Sequence, residues 1–478
     1  MEPQTSEFPV EIGEQEACGF VDNYFSDIDL GHKSRDACFR EVAEQISRHP
    51  GGTLPDKFAS PAGYAAMDRL MNRPETTHAR ILAPHYRKTK AKMEACAGVV
   101  LIVHDSTTLD YSGLRMAKLP KVGNGNGRGY LCHNSLAVDA DKHEVLGLVS
   151  QILHGRVSRG RKESVARKRQ RASRESRLWS RAVEELPMPL PGKRYIDIGD
   201  RGADIFEFLY NECRLGRECV VRSTHNRRVR LGHDGQGKQV LLHDHLRTLP
   251  ATGATRTKKI RDPNTKGERE AVLRVVFEDV EILPPQVRKG EYEKQPIAAW
   301  AVRVWEEKPP EGATAIEWFL VVLHPVTNSD EAWQQCDWYC CRWIVEEFHK
   351  AKKTGCQIED LQFHTKQALQ PMIALLSVVA VLLLNLREAA RRPDAATRPA
   401  TDVVEPIYEE VIRTWRYKKP HEPLSVLDFY MAVARLGGHM NRKRDGFPGW
   451  LTLWRGWQKL QFMVEAVQTE RRGRRKIV

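Results

Sequence analysis

Three carboxylates fall where chemistry could use them. Asp105 ends the apolar run VVLIVHD, Asp200 ends YIDIGD, and Glu346 lies within YCCRWIVEEFHKAKKTG, residues 339–355. If the two runs are neighbouring core strands, their terminal aspartates stand within a strand spacing or two of each other. Carboxylates that close repel unless a cation lies between them. Hard oxygen donors without Cys or His partners suit Mg2+ or Mn2+. Two such ions a few ångströms apart serve in-line displacement at phosphorus. Taken singly, each aspartate is as well explained as a turn former or a helix N-cap.

The stretch around Glu346 has helical spacing. At about 100° per residue, Tyr339 and Lys353 fall within about 20° of Glu346, Arg342 and Lys350 within about 40°, and His349 at about 60°. Cys341, Ile344, Phe348 and Ala351 fall on the opposite, apolar side. One face therefore presents a tyrosine, cations and one acid along about 20 Å. The plainer account is a solvated face with Glu346 and Lys350 as an i,i+4 pair. The sharper one is a site where metal meets phosphodiester, with the cations on phosphate. Glu347 points about 100° away from Glu346, toward the edge of the packed side, and is expected to pair with Lys350 or to brace the helix against the first strand.

These side chains must be positioned by a large molecule. The chain has 478 residues, a net charge of +13 and 41% hydrophobic residues, which implies several domains and a polyanionic partner. No membrane role is expected. The N-terminus is acidic and lacks an apolar core. The most apolar run, Met372–Leu386, is short for a bilayer and contains Ser377 and Asn385, so it reads as a buried core helix. The ten cysteines contain no C-x-x-C pair and read as reduced thiols in a cytoplasmic protein. GNGNGRG, residues 123–129, lacks the Gly-Lys-Ser/Thr of a phosphate loop and reads as a plain loop.

Along the chain, residues 20–95 look helical. Strand patterns occupy 97–153 and recur around 195–200, 218–222 and 315–324. Residues 228–313 read as polar strand-and-turn material inserted between them. Single helices are expected over 330–353 and 365–392, then a hinge and a helical C-terminal region. Residues 156–181 hold eleven Lys or Arg against two acids. They are either a solvated face or a backbone-tracking segment, and Arg167, Lys168, Arg169 and Arg171 would be its phosphate contacts. Trp450, Trp454 and Trp457 share a helix face, either in that region's own core or at a protein interface; an interface is expected.

The combination Y-x2-R-x3-E-x6-K, here Tyr339, Arg342, Glu346 and Lys353, resembles the signature of DDE transposases of the bacterial insertion-sequence family four. HDSTTLDY at 104–111 and DRGADI at 200–205 resemble that family's two aspartate motifs. RLGGHMNRKRDGFPGWLTLWRGWQKL resembles its C-terminal region, and FSDIDLGHKSR with the helices after it resembles its DNA-binding domain. The arginine-rich start of that domain is thinned here to Lys33 and Arg35.

The resemblance implies an α/β, ribonuclease-H-like catalytic domain (79–227 and 314–392) with a β-rich insertion (228–313). It would be flanked by an N-terminal helical DNA-binding domain (1–78) and a C-terminal helical dimerisation region (393–478). It implies cut-and-paste transposition of double-stranded DNA by a homodimer in a synaptic complex, with nicking, hairpin formation and resolution, and strand transfer. Asp105, Asp200 and Glu346 would hold two Mg2+ or Mn2+ ions. Tyr339, Arg342 and Lys353 would hold phosphate, with Lys350, from its place on the same helix face, beside them, and Arg222 and Trp318 would meet a flipped base. A bacterial, nucleoid-associated location would follow. A nuclease without strand transfer, a two-carboxylate glycosidase and a non-catalytic end-binding regulator stand as alternatives.

Overall fold

The computed structural model describes residues 20–475 apart from 49–52, 59, 114–118, 124, 157–173, 254, 262–267, 287–294, 419–421, 443 and 444. Arg167, Lys168, Arg169 and Arg171 therefore lie outside the described residues. The chain forms two compact units, residues 28–392 and residues 1–27 with 393–478.

The larger unit is mixed α/β, built on one sheet of eleven strands. These are β1 (Val100–Asp110), β2 (Gly129–Asp139), β3 (Val145–His154), β4 (Tyr195–Gly199), β5 (Glu218–Arg222), β6 (Arg228–Leu231), β7 (Gln239–Leu241), β8 (Arg256–Arg261), β9 (Glu268–Ile282), β10 (Ile297–Glu306) and β11 (Glu317–Val322). Their order is β3-β2-β1-β4-β5-β11-β10-β9-β6-β7, with β8 on β9. The first three strands pair antiparallel, β2 and β3 across the short connection 140–144. β1, β4 and β5 run parallel, and each step between them is made through helical chain.

The helices of the two units, numbered together along the chain, are α1 (Phe20–Phe25), α2 (Lys33–Arg48), α3 (Pro61–Met71), α4 (His78–Ala95), α5 (Leu178–Glu185), α6 (Phe206–Arg214), α7 (Leu242–Thr248), α8 (Ser329–Cys340), α9 (Trp343–Lys350), α10 (Lys366–Ala389), α11 (Pro406–Tyr417), α12 (Val426–Leu436) and α13 (Trp450–Arg475). α10 is long and apolar enough to cross a membrane. It is instead buried in the larger unit, with Ser377 returning its hydroxyl to the Ile373 carbonyl at 2.7 Å, as expected for a core helix.

The structure refines three expectations. Residues 28–78 do not stand apart as part of an N-terminal domain, because α2 and α3 pack on α10 within the larger unit. Residues 228–313, expected as a β-rich insertion, are strands of the main sheet. Edge strand β5 takes β11 as its antiparallel neighbour, β11 takes β10, and the inserted strands continue the same sheet. The single helix expected over 330–353 is interrupted. Cys341, Arg342, Ile344 and Val345 bond back three residues, to Trp338, Tyr339, Cys341 and Arg342. The chain thus tightens to 3-10 geometry between α8 and α9, then widens to a π turn over Ala351–Gly355. Each 3-10 residue turns about 120° rather than 100°, so the spacing from Tyr339 to Glu346 is not that of one straight α-helix. The apolar side decides the path: Cys341, Ile344, Val345, Phe348 and Ala351 are all buried.

In the smaller unit, Trp450, Trp454 and Trp457 are buried in that unit's own core, not held out as an interface. The Trp457 ring stacks on Tyr408 at 5.4 Å, and the Tyr408 hydroxyl donates to Gln461 Oε1 at 2.9 Å. α12 and α13 approach closely at Gly437 and Gly456.

Candidate active site

Strand register builds the site. β1 continues past Asp105 to Asp110, so Asp105 is mid-strand, opposite Asn134 of β2. Asn134 in turn faces Gln151 of β3. On the other side, Val103 pairs with Ile198 in parallel register, and Gly199 with Val221. Continued by two and one residues, those registers set Asp200 level with Asp105 and Arg222 level with Asp200. Arg222 pairs with Leu320 of β11. A row of polar side chains thus crosses five neighbouring strands: Gln151, Asn134, Asp105, Asp200, Arg222.

Each aspartate is fixed by one oxygen. Asp105 Oδ1 takes the Ser106 N–H and Asp200 Oδ1 takes the Gly202 N–H, both at 2.7 Å. Asp200 is therefore a cap for the short turn Arg201–Ala203, as its plainer reading required. That role occupies one oxygen and leaves Oδ2 for chemistry. Burial first, and then the charges of Asp200 and Glu346, push the Asp105 carboxyl up to about 6, against the opposing pull of Ser106 and Arg342. The three acids therefore feel one another across a partly desolvated space.

α9 packs on β1 and supplies the rest. Arg342 lies 3.9 Å from Asp105 Oδ2 and 2.5 Å from Glu346 Oε1, and the Glu346 side chain is 45% exposed. Glu347 behaves differently. It is buried and accepts from Lys350 at 2.8 Å and from Arg387 of α10. The expected Glu347–Lys350 pair is present, but the brace is against α10 through Arg387, not against the first strand, because the buried guanidinium lies on that side. Lys350 is thus engaged by Glu347.

Lys353, in the π turn, pairs with Glu359 at 3.1 Å, and Glu359 also takes the Asp110 N–H. Lys353 accordingly reaches, through Glu359, toward the Asp110 end of β1. Tyr339 is buried and meets Trp318 edge-on at 5.5 Å, while the Arg222 guanidinium lies 5.2 Å over the Trp318 ring. Trp318 is half-buried, not a core residue. Arg222, Trp318 and Tyr339 thus form one cluster next to the acids. Lys33 and Arg35 are elsewhere, on α2, with Arg35 held by Glu75 at 3.0 Å.

His349 stands beside Asp105, a position that helical spacing alone did not assign. Its Nδ1 is 3.9 Å from Asp105 Oδ2, and its Nε2 is 3.0 Å from Asn134 Nδ2. Burial first, then Lys352 and Lys353, hold its pKa well below the ordinary histidine value. Its 60° offset from Glu346 was readable in the sequence, but the cross-strand partner Asn134 was not.

The donor set is oxygen only and matches Mg2+ or Mn2+ in type. The raised proton affinity of Asp105 marks a place where a cation would relieve repulsion. Glu346 is turned to Arg342, and among the described residues no three acid, His or Cys side chains form a ready-made metal cage. The nine cysteines among the described residues carry free thiols.

No protein-family model matches the chain, so the insertion-sequence resemblance rests on the motifs quoted above. Comparison with solved structures gives a cryo-EM structure of the piggyBac transposase synaptic complex with hairpin DNA. It matches at a TM-score of 0.34 and 10% identity, over 75% of this chain and 67% of that one, an overlap too slight to assign a role.

Proposed function

We propose that this chain is a divalent-metal-dependent DNA transposase of the DDE type, acting on transposon-end DNA by nicking, hairpin formation and strand transfer. The observation that carries the reading is the register that levels Asp105 with Asp200, with Glu346 held nearby by Arg342. Asp105, Asp200 and Glu346 would hold two Mg2+ or Mn2+ ions, which would supply an activated water and charge neutralisation at phosphorus. Arg342, beside Asp105 and Glu346, offsets the repulsion among the acids and would hold a phosphate oxygen. A net charge of +13 suits the DNA backbone. A homodimer pairing two ends, and a cytoplasmic, nucleoid-associated setting, belong to the same reading.

The test uses DNA flanking the gene and purified full-length protein. Magnesium-dependent nicking and joining of a pre-cut 3′-hydroxyl end into a plasmid are expected. Cutting without joining would make it a nuclease; binding without either would make it a regulator.

Trp318 is expected to stack on a base drawn out of the duplex, with Arg222 behind it. Such stacking contributes about 1–3 kcal/mol. Trp318→Ala should therefore slow hairpin formation by about 5–150-fold while first-strand nicking changes much less. Equal loss of both steps with a lowered melting temperature would return Trp318 to a packing role.

A further inference from the structure

A buried polar network lies behind Asp105. Asn134 Oδ1 accepts from Lys352 Nζ at 3.1 Å and from Gln151 Nε2 at 2.8 Å. Gln151 Nε2 also donates to Ser377 Oγ at 2.9 Å, and Gln151 Oε1 meets His78 Nε2 at 2.9 Å. Asn134, Gln151, Ser377, His349 and Lys352 are all buried. A lysine or glutamine N–H donates, so the atom facing Lys352 and Gln151 is the Asn134 oxygen. The Asn134 amide nitrogen must then be the atom that faces His349.

That assignment fixes the histidine. Asn134 Nδ2 can only donate, so His349 Nε2 must accept and carries no proton. The ring's single N–H is therefore on Nδ1, the atom 3.9 Å from Asp105 Oδ2. We infer that His349, locked by Asn134 as the Nδ1–H tautomer, is the positioning residue that orients the Asp105 carboxylate. This rests on the reading of Asp105 as a metal-binding group. The separation exceeds a hydrogen bond, as is common at a catalytic site before its ligands bind.

The π turn supports the arrangement. It sends Lys352 inward to Asn134 and Lys353 outward to Glu359, and such turns are frequent at functional sites. The network runs through β3, β2, α4, α10 and the π turn, so the orientation of one carboxylate is tied to the core of the unit.

Two measurements decide the matter. In full-length protein with 15N-labelled histidine, the His349 resonance, assigned by its absence from His349→Asn, should show a protonated Nδ1 and an unprotonated Nε2. An Nε2–H tautomer overturns the inference. Manganese binding, followed by the loss of its free-ion electron-paramagnetic signal, provides the second. The amide of Asn reaches the position of Nδ1, whereas that of Gln reaches the position of Nε2. His349→Asn should therefore hold Mn2+ close to wild-type affinity, and His349→Gln should bind about 10–100-fold more weakly. A space-filling role would favour the larger Gln, so Gln binding as well as or better than Asn overturns the inference. Wild-type protein that binds no Mn2+ sinks the metal reading of the site, and the tautomer measurement then decides the fate of this one.

Discussion

Glu346→Gln is expected to lower magnesium-dependent nicking and strand transfer by at least about 100-fold, a loss reached even by groups that only orient a ligand. DNA binding should remain near the wild-type level. The side chain is 45% exposed and its partner is Arg342, which stays in place beside Asp105, so the fold loses little. Glu347→Gln should do the reverse. Its carboxylate sits in the buried angle between Lys350 and Arg387. Removing that charge strands a buried guanidinium, at a cost of about 3 kcal/mol, reduced to the extent that Glu388, 3.5 Å from Arg387, takes over the pairing. Cleavage should persist below the lowered melting temperature. Normal cutting by Glu346→Gln in magnesium, or loss of cutting by Glu347→Gln at unchanged melting temperature, would refute the assignment.

Gly456→Ala should unfold the smaller unit while leaving the sheet unit intact. A Cβ at Gly456 would lie 1.8 Å from the Val433 carbonyl oxygen and 3.0 Å from the Gly437 nitrogen. Both are main-chain atoms of α12 and its end, so no side chain can swing aside. Gly437 reciprocates: its Cβ would lie 1.9 Å from the Thr452 oxygen. Overpacking against movable neighbours costs about 1–3 kcal/mol, and more where relaxation is blocked. Separating α12 from α13 would also loosen the packing that buries Trp454 and Trp457. Amide exchange over 406–475 should accelerate while β1 and α10 keep their protection. Gly449→Ala is the control, since its Cβ would meet nothing within 4 Å. Wild-type protection in Gly456→Ala would show that the two helices can part at little cost.

The parts of the site set by local pattern were legible in the sequence. The runs before Asp105 and Asp200 are apolar enough to be central strands, and α9 shows its buried side at helical spacing. Glu347 was assigned inward by a 100° offset, and it is inward. What escaped depends on hydrogen bonds that carry no residue signature. The 3-10 tightening at Cys341–Val345 and the π turn at Ala351–Gly355 use ordinary helix formers, so nothing in the sequence shows that one helical spacing does not run unbroken from Tyr339 to Lys353. Polar composition marked residues 228–313 as inserted strand material but not where its strands pair. β9 and β10 nevertheless alternate, and alternation states that a strand is half-buried, not which sheet it joins. His349 stood in plain view, but its role depends on Asn134, 215 residues away along the chain.

The seam between β5 and β11 has a consequence for the chain as it is made. Arg222 finds its partner Leu320 about 100 residues later, which at about 5–20 residues per second is an interval of roughly 5–20 s. Throughout it β5 offers an unpaired edge, the kind of template that recruits stray strands. The intervening segment has its own local pairing to make, Leu273–Ile282 against Ile297–Glu306, and so waits as a second half-sheet with an open side. Only when Glu317–Val322 emerges can the two halves meet. The nascent protein is thus most exposed to misassembly in the interval before Trp318 is brought to Arg222.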